Sequence, residues 1–452
     1  MLCYLVPLQA EAKSARRPNI ILIITDDQGY GDLGCYPHTR EVDSPNIDRL
    51  AASGVRFTDG YVTHHGSAPS RAALLSGRYQ QRLGFYDIWE VQKGLPANEK
   101  LLPQYFKDEG YATALIGKWH LGEKAHNHPL VKGFDRFYGF IGGMHDYFNP
   151  DTGDTWKGGA MGPASVFDQR APVSRIKYLT DEFTDRAIAF MAETQAAKKP
   201  FFVQLSYNAP HGPLQAPAEL EAMYKQDGKY GIIRAMTRSL DENIGRLMAY
   251  IDGNGLRGNT IIVYISDNGG TRASHNWILC GGKGQVTEGG IRVPFFISYP
   301  AQIKGNKTYS DPVISLDLFP TLLSAAGIPL PNDKTLDGIN LMPYLKGETD
   351  YPPHEKLFWS WDPYFDRWAV RDGEWKAMRE VVDGELVIGL FNLREDVSES
   401  VNLIGKYPEK FRELERSYRR WIARMPPSLV GPDEWTPNGN GWKYIYGEKE
   451  KK

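Results

Sequence analysis

An α/β fold is predicted for this chain: a mixed, mostly parallel sheet sandwiched by helices, followed by a smaller C-terminal antiparallel sheet plus helix. Three observations carry that prediction. Pro18-Asn-Ile-Ile-Leu-Ile-Ile-Thr25 is an unbroken β-branched and apolar run, the pattern of a strand buried on both faces of a parallel sheet. A second such run, Asn259-Thr-Ile-Ile-Val-Tyr-Ile-Ser266, lies far downstream. Between them, strand-like and helical pieces alternate, as helices crossing over a parallel sheet require.

The elements follow in order. A helix is expected over Ser44–Ser53, a strand over Ala112–Ile116, a helix over Tyr178–Lys198, a strand over Phe201–Ser206, and a helix over Ile233–Asp252 that feeds the second long strand. The texture changes after about residue 345. Pro352-Pro353 breaks the chain, and short aromatic strands follow at Lys356–Trp361, Arg367–Arg371, Trp375–Arg379 and Leu386–Asn392. Asp-Gly turns after Arg371 and Val382 join them as hairpins. A helix at Pro408–Met425 closes the unit, and the Lys- and Glu-rich end reads as solvated. We therefore divide the chain into a unit at 17–345 and a C-terminal subdomain at 346–452.

A chain of 452 residues is too long for one ordinary core. Its 41% hydrophobic and 24% charged residues are those of a globular protein, and its net charge of −2 argues against nucleic acid as a partner. No apolar run reaches the roughly 18 residues of a membrane span. Residues 1–12 combine an apolar run with Ala10-Glu11-Ala12, which reads as a signal peptide cut before Lys13 and hence as export to the periplasm or beyond. Cleavage removes Cys3 and leaves Cys35 and Cys280, which are no disulfide framework and leave the compartment open.

Both long strands end in oxygen-rich turns, Asp26-Asp27-Gln28-Gly29 and Asp267-Asn268-Gly269-Gly270. Ligands of such sheets bind beyond the carboxyl ends of the strands, so the two clusters are expected to meet. Asp26, Asp27, Asp267 and Asn268 offer only oxygen, the preference of a hard cation such as calcium or magnesium, which would relieve the repulsion of three clustered carboxylates. One such pair alone is usually a turn or a helix cap. The segment Ser67-Ala-Pro-Ser-Arg-Ala-Ala-Leu-Leu-Ser-Gly-Arg78 reads as a helix with Pro69 in its first turn and Gly77 as its stop. Ser67 stands at the N-terminus of that helix, where amides and the dipole favour anions, and by itself is an ordinary N-cap. Arg71 falls one turn on, on the same face.

That segment resembles the signature of the sulfatase family, Cys or Ser, then x-Pro-Ser-Arg, three free positions, Leu, x and Gly. Other blocks of the family occur in order: Leu22–Gly31, Gly117-Lys-Trp-His-Leu-Gly122, Ala209-Pro-His-Gly-Pro213, Ser266-Asp-Asn-Gly269, Gly282-Lys-Gly, Glu288–Pro294, and Leu390–Asp396 through Leu403. The resemblance runs from about residue 17 to 425 and implies an alkaline-phosphatase-like fold. It implies that Ser67 is oxidised by a maturation enzyme to formylglycine, either as the serine-type variant or as a position where an engineered serine replaces cysteine. It also implies that Ser67 joins Asp26, Asp27, Asp267 and Asn268 around the cation. Arg71, Lys118 and Lys283 would hold the anionic sulfate, His120 would act as base on the second hydroxyl of the hydrated aldehyde, and His211 would protonate the leaving oxygen.

The expected reaction is hydrolysis of a sulfate monoester, on a sulfated glycan, with calcium preferred. Two rivals stay open: a phosphate or phosphonate ester hydrolase on the same scaffold, and a non-catalytic glycan-binding protein with Ser67 unmodified. His64, His65, His145, Asp146, Arg272, His275, Trp361 and Asp362 are candidates for the pocket wall, because loops on a rigid scaffold carry specificity. The aromatic group Phe358–Tyr364 either stacks a sugar ring or packs the core, and packing is the simpler reading.

Overall fold

The computed structural model describes residues 17–37, 40–152, 165–362 and 366–431, so the expected signal peptide at 1–12 and the Lys- and Glu-rich end lie outside the described residues. Among the described residues twelve strands precede the C-terminal sheet: β1 (Asn19–Thr25), β2 (Val55–Phe57), β3 (Gly60–Tyr61), β4 (Ala112–Lys118), β5 (Arg136–Phe140), β6 (Phe167–Asp168), β7 (Ala171–Pro172), β8 (Phe201–Ser206), β9 (Thr260–Ser266), β10 (Phe295–Ser298), β11 (Lys307–Tyr309) and β12 (Val313–Ile314). Four more form that sheet: β13 (Lys356–Asp362), β14 (Arg367–Asp372), β15 (Trp375–Val382) and β16 (Glu385–Asn392). The α-helices are α1 (Pro45–Ala52), α2 (Ser67–Ser76), α3 (Leu102–Asp108), α4 (Leu179–Ala196), α5 (Ala218–Met223), α6 (Gly228–Gly253), α7 (Glu288–Ile291), α8 (Leu318–Ala325), α9 (Met342–Lys346) and α10 (Pro408–Ile422).

The main sheet runs β11-β2-β10-β9-β1-β8-β4-β5-β6-β7. Its centre, β9-β1-β8-β4-β5, is parallel, and the antiparallel pairings lie outside that block. Every residue of β1 is buried. Ile20, Leu22 and Ile24 face a core shared with α2, α3 and α8, while Ile21 and Ile23 face one shared with α1, α4 and α6. Helices on both faces are the reason this strand reads as an unbroken apolar run rather than an alternation.

The predicted architecture holds, with differences at the edges. β4 runs two residues past the expected end, to Lys118, and so carries that lysine to the tip of the sheet. α6 begins at Gly228 rather than Ile233 and so takes in Gly228 and Gly231. Tertiary contacts offset the roughly 1 kcal/mol cost of each helical glycine: Tyr230 reaches Asp32, and Arg234 pairs with Asp227. The short strands β2, β3, β5 to β7 and β10 to β12 went unread, because two to five residues carry too little periodicity.

The C-terminal strands make an antiparallel meander with α10 packed against it. Trp359, Trp368, Leu414 and Tyr418 share one core with Tyr61, Ala73, Tyr79 and Ile291 of the main unit. The division drawn at residue 345 falls on α9, whose Met342 and Leu345 pack in the main core.

Candidate active site

Four strand ends, one helix and one loop converge beyond the carboxyl edge of the parallel block. β1 delivers Asp26 and Asp27, β9 delivers Asp267 and Asn268, β4 ends in Lys118 with His120 two residues on, and β8 ends in Ser206 ahead of His211. The approach of the backbones dictates glycine at position 269, where an added Cβ would lie 1.8 Å from the Gly289 carbonyl oxygen. Asp27 (φ 62°) and His120 (φ 58°) both occupy the left-handed region, a strain of about 1–3 kcal/mol each that is typical of functional turns.

Ser67 is the first residue of α2, and Gly66, not Ser67, is the N-cap. The serine is therefore not spent on capping. Its Oγ lies 3.2 Å from Asp26 Oδ1, 3.2 Å from Asn268 Oδ1 and 3.2 Å from Lys118 Nζ. α2 is buried along its whole length, so Arg71 points into the site with a side chain 1% exposed. Its Nε and Nη2 lie 2.9 and 2.8 Å from Asp267 Oδ2, and its Nη1 donates to Ser206 Oγ at 2.6 Å.

The three carboxylates do not depend on a cation alone to relieve their repulsion, and here the sequence-based argument needs correction. Each has a positive side chain of its own: Lys118 Nζ at 2.6 Å from Asp26, Lys283 Nζ at 2.8 Å from Asp27, and Arg71 at Asp267. Burial alone would raise the Asp26 and Asp27 pKa values. The facing cations, with His211, outweigh it and hold both below the ordinary range. Burial lowers the Lys118 pKa, while the carboxylates outweigh burial and raise that of Lys283.

The two histidines differ. His211 Nδ1 donates to the Gly212 carbonyl at 2.6 Å, which leaves Nε2 facing Asp27 Oδ2 at 3.6 Å. His120 is buried with neither ring nitrogen partnered, and burial followed by the charges of Lys118 and Arg71 pushes its pKa well down. An orphaned imidazole among cations suits a proton acceptor that waits for a ligand. Ligand atoms of Asp26, Asp27 and His211 lie within 4.8 Å of one another. The Asp26 and Asp27 carboxylates, with the amide oxygen of Asn268 beside Ser67, offer the oxygen a hard divalent cation prefers, whereas the His211 nitrogen does not suit such an ion and Asp267, held by Arg71, falls outside that group.

The expected wall residues divide. His64 and His65 are buried beside the site, with ring centroids 4.1 Å apart, and Trp361 meets His65 edge-on at 4.8 Å. Burial pushes the His64 pKa down to about 4 and holds that of His65 well below the ordinary range, which favours the neutral ring in both. Asp146 is occupied by its own loop, accepting from the Phe148 and Asn149 amides and from Gln215. His145 bonds the Asp146 carbonyl and packs on Phe140, and His275 donates its amide to Asp32. Arg272 is exposed. Asp362 ends β13, its side chain outside the described residues, as is Tyr364. Phe358 stacks on Trp421 and Trp359 bonds the Val62 carbonyl, so those aromatics pack the core.

Sequence reasoning missed Ser206, which seats Arg71, and Asn208, buried with both amide atoms unpaired. It also missed Asp32, whose carboxylate accepts from the Gly29 and His275 amides and is pushed up to about 7 by burial. A serine or asparagine past a strand carries no signal of its own, whereas Asp32 follows the Asp26-Asp27 turn closely enough to have been flagged.

The family model described as sulfatase matches residues 18–328, and that described as N-sulphoglucosamine sulphohydrolase, C-terminal, matches residues 277–424. Human arylsulfatase A is 36% identical over 82% of this chain and 77% of its own length. The pig N-acetylgalactosamine-6-sulfatase is 32% identical over 81% of this chain and 74% of its own. The crystal structure of Ps i-CgsB in complex with k-i-k-neocarrahexaose superposes with a TM-score of 0.85 at 32% identity, covering 93% of this chain and 97% of that one.

Proposed function

From the premise that the chain belongs to the sulfatase family and is a sulfate-ester hydrolase, we propose that its substrate is a sulfate monoester on a carbohydrate and that Ser67 acts as formylglycine. The observation that carries this reading is the setting of Ser67 Oγ, equidistant at 3.2 Å from a carboxylate oxygen, an amide oxygen and the Lys118 ammonium. Asp26, Asp27, Asp267 and Asn268 would hold one divalent cation, calcium in preference to magnesium, in contact with position 67. When bound, that cation supplies a lowered pKa for a hydroxyl on the modified residue, whose hydrated aldehyde offers a second hydroxyl for release of sulfate.

The chain's own groups do the rest. Lys118, Lys283 and Arg71 supply positive charge to an anionic ester in a site sheltered from water, where such charge acts most strongly. His120, neutral and unpartnered, accepts a proton. His211 keeps one proton on Nδ1, held by the Gly212 carbonyl, and as the doubly protonated imidazolium, which the facing Asp27 and Asp26 carboxylates favour, gives the other to the leaving sugar oxygen through Nε2. A phosphate-ester reading of the alkaline-phosphatase type needs a second set of metal ligands. Among the described residues Asp26, Asp27 and His211 are the group of His, Cys, Asp and Glu with suitable spacing. We place the protein in the periplasm or outside the cell, where a maturation enzyme has already converted position 67. The intact mass of the tryptic peptide spanning Ser67 tests the proposal, since formylglycine is lighter than serine by two hydrogens. An unmodified peptide, together with no turnover of 4-nitrophenyl sulfate, would leave the glycan-binding alternative.

A further inference from the structure

A concavity of about 720 Å³ is lined by Arg40, Lys229, Tyr230, Arg234 and Arg272, with Glu41 and Asp227 among them. The loop that carries Arg272 also carries Ser274, whose Oγ donates to the Asp27 carbonyl at 3.2 Å, and Gly270, whose carbonyl accepts from the Lys283 amide at 2.9 Å. Tyr230 Oη lies 3.4 Å from Asp32 Oδ1, and Asp32 closes the turn after Asp27 by accepting from the Gly29 amide at 2.8 Å. α6 leads into β9 and so runs back along it, which sets Lys229 and Tyr230 at the carboxyl end of the sheet. The concavity and the catalytic centre thus share two loops.

The charges around it are unequal. Arg234 is answered by Asp227 and by Glu41 at 3.5 Å. Arg40 lies over the Tyr230 ring at 4.6 Å, and Lys229 and Arg272 are exposed; among the described residues none of these three forms an ion pair. The lining sets four cations, Arg40, Lys229, Arg234 and Arg272, against two carboxylates, Glu41 and Asp227, a local excess of positive charge in a chain whose net charge is −2. A cleft concentrates such a field on an incoming anion. Its size suits a sugar unit, and guanidinium forks match the oxygens of a sulfate group.

We infer that this cleft binds a further sulfate ester of the glycan, on a sugar next to the one whose sulfate is hydrolysed; the inference rests on the proposed function above. It assigns a preference for multiply sulfated chains to residues that make no contact with the reacting group.

The test uses the full chain and sucrose octasulfate as probe, with affinity measured by titration calorimetry at low salt, where surface charge is least screened. Arg40→Ala/Arg272→Ala is expected to weaken binding by about tenfold or more relative to Lys198→Ala/Lys199→Ala, a control that removes the same charge just ahead of β8, at the opposite end of the sheet. Equal losses in the two double variants would overturn the cleft. A hyaluronan hexasaccharide, which carries carboxylates and no sulfate, is expected to bind more weakly than the octasulfate. Equal affinity would replace the sulfate assignment by a carboxylate one. Turnover of 4-nitrophenyl sulfate is measured alongside. A chain silent on that ester whose octasulfate affinity still depends on Arg40 and Arg272 refutes the hydrolase reading and leaves the cleft standing.

Discussion

Lys376 on β15 is buried between two carboxylates, 2.8 Å from Glu288 Oε1 and 2.8 Å from Glu399 Oε1, with all three side chains 0% exposed. Lys376→Met keeps most of the volume and deletes the charge. Glu288 retains Tyr61 and Arg292, whereas Glu399 retains the Glu288 amide and, among the described residues, no cation. Removing one partner of a buried ion pair costs about 3–5 kcal/mol. Unfolding entropy near 2.1 cal/mol/K per residue scales to about 0.95 kcal/mol/K over 452 residues, so the expected fall in Tm is about 3–5 °C. The loss should depend on pH. Burial, helped by the charge of Glu288, raises the Glu399 pKa to about 7 even with Lys376 present, and without it the pKa rises further. A raised folded-state pKa means stability present below the unfolded value near 4.5 and lost as pH climbs through the folded value. The deficit should therefore be largest near pH 8 and smaller near pH 5. It does not vanish there, because Glu288, held at about 2 against burial by Lys376 and its arginines, stays ionised. Differential scanning calorimetry at the two pH values measures it. Adding Glu399→Gln to Lys376→Met should recover part of the loss, as a coupled pair requires. A drop under about 1 °C at pH 8, or a larger deficit at pH 5 than at pH 8, would refute the reasoning.

Three further outcomes are expected. Lys118→Ala and Lys283→Ala should each cost about 3–4 kcal/mol in kcat/KM on a sulfate ester; both should also lower Tm, because they strand the buried Asp26 and Asp27, and Lys283→Ala the less, since that side chain is 30% exposed and water can enter in its place. Asp267→Ala should abolish turnover and the thermal stabilisation by added calcium, and exhaustive chelation of the unsubstituted enzyme should do the same; full activity after chelation would remove the metal from the reaction. His211→Ala should reduce hydrolysis of a sugar sulfate by about 10²–10⁴-fold and that of 4-nitrophenyl sulfate far less, since a nitrophenolate leaves without a proton; equal losses on the two would deny His211 the acid role.

Much of the site was legible because residue type and strand end coincide. A run such as Ile20–Ile24 can only be central, and polar residues directly after a central strand can only lie at its carboxyl edge. That logic found Asp26, Asp27, Asp267 and Asn268, and helical spacing alone put Arg71 on the face of Ser67. What the logic cannot supply is pairing. Lys118 and Asp26 are 92 residues apart, and Lys283 and Asp27 are 256 apart. Which cation meets which carboxylate is decided by strand order, with β8 lying between β1 and β4, and by the loop that brings Lys283 back over β1.

The same limit explains Lys376 and Glu399. In sequence each is a charged residue in a hairpin or a turn, where charge is ordinarily solvated. They become buried because the C-terminal sheet does not stand apart: it is laid on the main unit through Tyr61, Tyr79 and Ile291. Glu288, which they hold, begins α7, and the next residue, Gly289, donates its amide to the Cys280 carbonyl at 2.7 Å, across the base of the loop that presents Lys283. The C-terminal sheet thus positions Lys283, the lysine proposed to hold sulfate, at one remove. Lys376→Met, if its loss of stability is relieved near pH 5, should lose turnover at pH 8 through a higher KM, with kcat less affected, because a displaced Lys283 weakens the hold on sulfate before it slows the chemistry. A variant that keeps its KM while losing Tm would show that the buried cluster supports the fold alone.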